Sequence, residues 1–255
     1  MSFQGKVVLI TGGGTGIGKA AAERFIALGA KLVINGRRAD VLEKTAGQLD
    51  ASGTKIRSVV GDIAHPETAQ RMVEAAKQHF GGVDVLINNA GIFKPLPFLQ
   101  HTAADVNAYL DIILKGTFFA SQAVIPALQQ RGGGAIVNVG SMWATQAIGL
   151  TPSSAYSAAK AGVHALTRNL AIEFAKDKIR VNTVAPAVVE TPVYNTFLTP
   201  EQVAEVLPSF NAFHPLGRNG QPKDIVAAIT FLASAEAAWI TGALLPVDGG
   251  VTAGR

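Results

Sequence analysis

Tyr156 and Lys160 stand four residues apart in an Ala-rich stretch of helical period, so a phenol and an ammonium share one helix face. A free phenol titrates near ~10 and is a poor base at neutral pH. Bringing it to about 7 requires differential stabilisation of about 4 kcal/mol, to which an adjacent ammonium contributes by favouring the phenolate. Such a tyrosine gives a proton to a carbonyl oxygen as hydride arrives, or removes one in the reverse direction. Ser141, just beyond the apolar run Ala135–Val139, could hydrogen-bond the same oxygen and position it. In this chemistry a cofactor carries the hydride, while the protein supplies position and proton.

A second group of residues suits a phosphate-bearing ligand. Thr11–Gly18 reads TGGGTGIG, after the first strand-like run and at the start of a helical stretch. Glycines let the backbone turn tightly and approach a phosphate, and the helix behind them offers free N–H groups and a positive dipole end. The spacing is Gly12, Gly16, Gly18 rather than the strict G-x-G-x-x-G, so the signal comes from where the loop sits. Its candidate contacts are Gly12, Gly14, Thr15, Gly16, Ile17 and Gly18. About 20 residues on, where an acid would bind an adenosine ribose, the chain reads Asn35-Gly36-Arg37-Arg38. Guanidinium groups suit a 2′-phosphate, which favours NADP(H) and leaves NAD(H) possible. The alternative is that Arg37 and Arg38 are surface residues opening a helix. After the third strand-like run, Gly61-Asp62-Ile63 offers a carboxylate to an adenine amino group. After the fourth comes the amide-rich turn Asn88-Asn89-Ala90-Gly91.

These residues need a scaffold that gathers strand ends. Strand-like runs at Lys6–Ile10, Lys31–Ile34, Lys55–Val60, Val83–Asn88, Ala135–Val139, Arg180–Val184 and Ala243–Val247 alternate with helical stretches. The helices are expected at Ile17–Leu28, Ala39–Ala51, Pro66–Phe80, Ala104–Gln130, Tyr156–Ala175 and Pro222–Ala233. Runs such as VVLI are apolar without alternation, as in strands buried on both faces. That predicts one doubly wound α/β domain over 1–255, a parallel seven-stranded Rossmann-type sheet flanked by helices. Ligands then bind beyond the carboxyl ends of the strands, which is where every motif above falls. The stretch 191–218 breaks the alternation with four prolines and with Tyr194, Phe197, Phe210 and Phe213; it is expected to be a substrate loop or lid. Phe93, Trp143, Gln146, Tyr194 and Phe197 are the candidate pocket residues, with packing in the core as the alternative for the aromatic ones.

Composition removes other classes. With 255 residues, 48% hydrophobic and 16% charged, the chain is a folded globular protein of one domain or two. The absence of Cys excludes disulfides, thiolate zinc sites and a cysteine nucleophile. The five histidines are dispersed, so solvated or core roles are expected and no metal site. A net charge of +4 comes from scattered Lys and Arg, which does not make a nucleic-acid stripe. Asp224–Val247 mimics a membrane span, yet Glu236 and scattered Ser, Thr and Pro favour a core helix followed by a core strand. With no signal-peptide pattern at Met1, a cytoplasmic location is expected.

TGGGTGIG, Asn88-Asn89-Ala90-Gly91, Ser141, Tyr156-x-x-x-Lys160, the AP-x-x-x-x-TP segment at 185–192 and VDGG at 247–250 together resemble the classical short-chain dehydrogenase/reductases. PLGRNGQPKDI (215–225) and ITG (240–242) extend the resemblance over almost the whole chain. It implies that Lys160 also holds the nicotinamide ribose, that Val189 and Thr191 meet the carboxamide, and that Asn89, Ala90 and Gly91 line the cofactor. It implies a homo-oligomer too, a tetramer built through the long helices and the C-terminal strand. The chain departs from the family at Ile113, where an Asn holding a water is usual, and at Ala187, where the usual residue is Gly. The segment from Ser141 to Tyr156 is slightly longer than usual. The expected activity is hydride transfer between NADP(H) and a carbonyl or secondary alcohol. The rival, motivated by Ile113, is a dinucleotide-binding sensor or structural protein with weak or no catalysis.

Overall fold

The computed structural model describes residues 1–149 and 151–254; Leu150, inside the Ser141–Tyr156 segment, and Arg255 lie outside the described residues. Val7–Ile10 forms β1, and all four residues are completely buried. Val8 and Ile10 face one side of the sheet and Val7 and Leu9 the other, each side reaching a separate core. The unbroken apolar run therefore means a strand covered on both faces.

The chain continues through α1 (Gly16–Ala27), β2 (Lys31–Gly36), α2 (Ala39–Leu49), β3 (Ile56–Val60), α3 (Pro66–Phe80), β4 (Val85–Asn88), α4 (Ala103–Tyr109), α5 (Gly116–Gln130) and β5 (Gly134–Val139). It ends with α6 (Ser154–Glu173), β6 (Ile179–Pro186), α7 (Pro200–Ser209), α8 (Pro222–Ala233) and β7 (Leu244–Val247). The sheet has seven strands, ordered β3-β2-β1-β4-β5-β6-β7 and parallel throughout. The order reverses between β1 and β4, so their carboxyl ends open the crevice in which doubly wound sheets bind ligands. One face is covered by α1, α2 and α8 through Ala21, Phe25, Leu42, Ile225 and Ile229. The other is covered by α3, α5 and α6 through Met72, Val73, Val124, Leu128 and Ala171.

A buried polar chain fixes α5 and α6 to the sheet. Asn88 Nδ2 donates to Asn138 Oδ1 at 2.9 Å and to Ser121 Oγ at 3.1 Å. Asn138 Nδ2 donates to Thr167 Oγ1 at 2.8 Å, and the hydroxyls of Thr167 and Thr183 meet at 2.7 Å. Polar atoms this deep cost energy unless paired, so the chain sets the position of α6 and of the side chains it carries.

Three expectations change. The single helix over Ala104–Gln130 is interrupted by a π-helical turn at Leu110–Lys115, which begins and ends in helical backbone and so leaves no break in the sequence pattern. The expected loop at 191–218 contains α7, started by a capping box in which Thr199 and Gln202 exchange bonds, with Pro200 in the first turn. Finally, β7 is an edge strand with half-buried or exposed residues instead of a core strand, because among the described residues no further strand pairs with its outer side.

Candidate active site

The glycine loop and the turn after β4 are tied to each other. Thr11 Oγ1 accepts bonds from the backbone N–H groups of Asn89 and Ala90, both at 3.0 Å. The Asn89 amide donates to the carbonyls of Thr11 at 2.9 Å and Gly12 at 3.1 Å. The Asn89 amide nitrogen and backbone N–H are thus committed to the loop. A Cβ on Gly18 would overlap the Gly12 carbonyl, so this glycine is what lets α1 press against the loop. Thr15 caps α1 in extended backbone but its side chain makes no capping bond, leaving first-turn N–H groups for an external acceptor. Gly14 packs on Val41 and Leu42, and Gly16 lies against Thr191. This narrow cradle of free N–H groups fits the pyrophosphate of a dinucleotide.

Arg37 and Arg38 follow at the end of β2, both exposed. Arg37 Nη1 lies 3.8 Å from Asp62 Oδ2, an exposed pair of little stabilising value. Asp62 Oδ1 accepts from the Ala64 backbone at 3.0 Å, and the Ile63 side chain is in the core, leaving its backbone for a ligand. Val189 pairs with Gly220 in a short parallel bridge beyond β6, and Thr191 opens the following turn. Ala187 packs in the cluster around Trp143 and Tyr156 without disturbing this arrangement.

Ser141, Tyr156 and Lys160 meet beyond the end of β5. Lys160 is buried and its ammonium donates to the Val139 carbonyl at 2.6 Å, its one hydrogen bond among the described residues. Burial pushes its pKa down to about 8. The ammonium sits 5.8 Å from the centroid of the Tyr156 ring. It therefore bonds a strand carbonyl, and among the described residues no hydrogen bond joins it to the phenol oxygen, so its charge acts on Tyr156 through space. Burial pushes the Tyr156 pKa up to about 12, against which the Ser141 hydroxyl, bonded to the phenol, works in the opposite sense. Ser141 Oγ accepts from the Trp143 backbone at 3.2 Å, which leaves its O–H as the donor toward the phenol oxygen.

Aromatic rings crowd this centre. Phe93 meets Tyr156 edge-on at 5.0 Å, with Trp143 at 6.3 Å and Phe197 at 5.8 Å from Phe93. Tyr194 adds a ring 6.1 Å from Phe197, and burial raises its pKa. Phe93, Trp143, Tyr194 and Phe197 thus come together, with Trp143 also in a core cluster, so pocket and core are the same place. Gln146 is half-buried beyond the turn, and among the described residues no side-chain hydrogen bond joins it to the group. Tyr109, missed in the sequence, stands 6.1 Å from Tyr156 with its hydroxyl donating to the Lys94 carbonyl at 2.6 Å. Nothing in its spacing within an apparently continuous helix sets it apart.

Ile113 lies inside the π-helical turn, fully packed against Tyr109, Ala159 and Val163. Among the described residues no group of three or more His, Asp or Glu could hold a metal.

A family model described as "Enoyl-(Acyl carrier protein) reductase" matches residues 12–252. L-rhamnose 1-dehydrogenase (NAD(P)(+)) of Sphingomonas sp. (strain SKA58) is 39% identical over 251 residues, spanning 98% of this chain and 97% of that protein. Levodione reductase of Leifsonia aquatica is 36% identical over 257 residues, spanning 98% of this chain and 96% of the relative. A crystal structure of levodione reductase matches with a TM-score of 0.92 at 34% identity, covering 99% of this chain and 100% of that one. These relatives are named for oxidation or reduction, and they lend no support to an inert binding protein. Similarity of this extent, over the same sheet order, places the chain in the short-chain dehydrogenase/reductase family, as an oxidoreductase of alcohol and carbonyl groups served by a nicotinamide dinucleotide.

Proposed function

We propose that this enzyme interconverts an uncharged carbonyl compound and its secondary alcohol using NADP(H), with Tyr156 as the acid/base. The carrying observation is the convergence of the Ser141 hydroxyl, the Tyr156 phenol and the buried Lys160 ammonium at the end of β5. When bound, the nicotinamide supplies or accepts the hydride. The backbone of Gly12–Gly18 and the start of α1 hold the pyrophosphate, and Arg37 and Arg38 bind the 2′-phosphate. Asp62 and the Ile63 backbone meet the adenine, the backbone of Asn89–Gly91 lines the sugar side, and Val189 and Thr191 meet the carboxamide. Lys160, with two N–H donors unused by the protein among the described residues, holds the nicotinamide ribose.

A phenol titrating near about 12 is neutral at physiological pH and so stands ready as a proton donor. That suits carbonyl reduction: the Tyr156 O–H bond breaks as the substrate oxygen takes the proton, while Ser141 donates a hydrogen bond to the same oxygen. In the oxidative direction the phenolate takes the alcohol proton, with the Lys160 charge nearby.

The pocket side chains Phe93, Trp143, Tyr194 and Phe197 carry no charge, which supports an apolar or cyclic substrate. The relatives' names, one a sugar dehydrogenase, do not converge on a single substrate class, so the lining is the stronger guide. We also propose a homo-oligomer, a tetramer by family resemblance, through the outer faces of α5 and α6 and the edge of β7.

The test is NADPH oxidation against a panel of cyclic and open-chain ketones with wild type and Tyr156→Phe. The variant should lose turnover by a factor of about 100 or more, the range for removal of a general acid, with NADPH affinity little changed. Equal loss of affinity and turnover would move Tyr156 from the chemistry to cofactor binding.

A further inference from the structure

Gly140 is the last residue of the β5 segment to keep a sheet partner, its N–H donating to the Val184 carbonyl at 2.8 Å. The next N–H, that of Ser141, has passed the end of the ladder and is buried. Left unpaired it would carry a desolvation cost. It donates instead to Nε2 of His164, at 3.4 Å. His164 lies on α6 one turn beyond Lys160 and two turns beyond Tyr156, so one helix face carries all three.

The surroundings are built to admit this imidazole. A Cβ on Gly140 would overlap His164 Nε2 and crowd the Thr183 methyl, so only glycine lets the ring reach the strand end. Burial, with Lys160 and Arg168 close by, pushes the His164 pKa down to about 4. The ring is therefore uncharged at neutral pH and keeps a lone pair for the Ser141 N–H. Ser141 is in extended backbone, with its Oγ accepting from the Trp143 N–H at 3.2 Å. His164 thus holds its backbone from beneath, and Trp143 holds its oxygen from the side.

We infer that His164 is a positioning residue, whose imidazole anchors the Ser141 backbone and so fixes the direction in which the Ser141 hydroxyl meets the substrate oxygen. This rests on the role proposed above for Ser141. An unbranched thioether side chain of similar size could fill the space but would accept the bond only weakly. His164→Met then leaves the fold and the cofactor cradle in place while Ser141 loses its aim.

The experiment is a double-mutant cycle on the full chain with His164→Met, Ser141→Ala and the combination, alongside His164→Gln and His164→Asn. Turnover, KM for the ketone and the NADPH Kd, read from cofactor fluorescence, are measured for each. His164→Met should lower kcat about tenfold or more, the scale of a small misplacement of a catalytic group, with the NADPH Kd unchanged. In the Ser141→Ala background it should cost nothing further, because the group it aims is gone. Gln, whose amide oxygen reaches the position of Nε2, should recover most of the rate, while the shorter Asn should not. Additive losses, or Gln no better than Asn, would overturn the inference, and the Gln–Asn comparison stands even if the Met variant does not fold. Should Tyr156→Phe and Ser141→Ala both keep full turnover, it is the catalytic assignment itself that has failed, a result separable from the behaviour of His164.

Discussion

Lys160 shows at a single residue how function and stability oppose each other. Its folded pKa of about 8 lies below the ordinary 10.5, so between those values the unfolded chain holds more protons than the folded one. Stability therefore rises with pH across that window, and below it the cost of burying the charge is fully present. A shift of that size corresponds to about 3 kcal/mol. Lys160→Met should abolish turnover yet raise the melting temperature at pH 7, with the gain shrinking as the pH approaches 10.5. A lower melting temperature at pH 7 would mean that the bond to the Val139 carbonyl outweighs desolvation. His164 acts with the same sign at lower pH. Its folded pKa of about 4 lies below the usual 6.5, so stability falls as the medium is acidified through that range.

At the scale of elements, the strand ends set which residues flank the glycine loop. The register of β1 against β2 pairs Ile10 with Ile34, so the residues after β2 lie beside the glycine loop, and Gly13 donates to the Asn35 carbonyl at 2.9 Å. Arg37 is held at this mouth by the sheet itself. Arg37→Asp should shift the ratio of NADPH to NADH affinity toward NADH by roughly tenfold or more, the worth of a lost charge-assisted contact plus repulsion. A ratio that does not move would place the 2′-phosphate elsewhere. The same strands explain what was legible in the sequence. Runs such as Val7–Ile10 are buried on both faces, and Pro66–Phe80 and Pro222–Ala233 carry their own start signals, so both helices keep the expected bounds. In α7 the capping pair Thr199 and Gln202 starts a helix within a stretch whose prolines have the composition of a loop. The π-helical turn around Ile113 breaks no pattern in residue types, since Asp, Ile, Leu and Lys continue a helical period. The role of His164 depends on how closely α6 approaches β5, a tertiary distance that no local spacing encodes.

The whole molecule leaves apolar surface uncovered on its long helices. Ile172 is 80% exposed on α6 and Phe118 46% exposed on α5, both on the side away from the sheet. Surface of this kind fits burial between copies of the chain. Ile172→Glu should reduce the oligomer to a smaller species in size-exclusion chromatography with light scattering, while thermal unfolding stays cooperative. An unchanged mass would move the contact to another face. The order of the strands has a further consequence, for the time the chain spends half made. The strand β1 is synthesised before both of its neighbours, and one of them, β4, comes far later; the Thr11–Asn89 contact that seals them spans 78 residues. At ribosomal speeds of about 5–20 residues per second that gap lasts roughly 4 to 16 s. Through that interval the wholly apolar Val7–Ile10 has an open hydrogen-bonding edge. A nascent chain of this topology thus presents, for seconds, a bare apolar strand edge of the kind that chaperones shield.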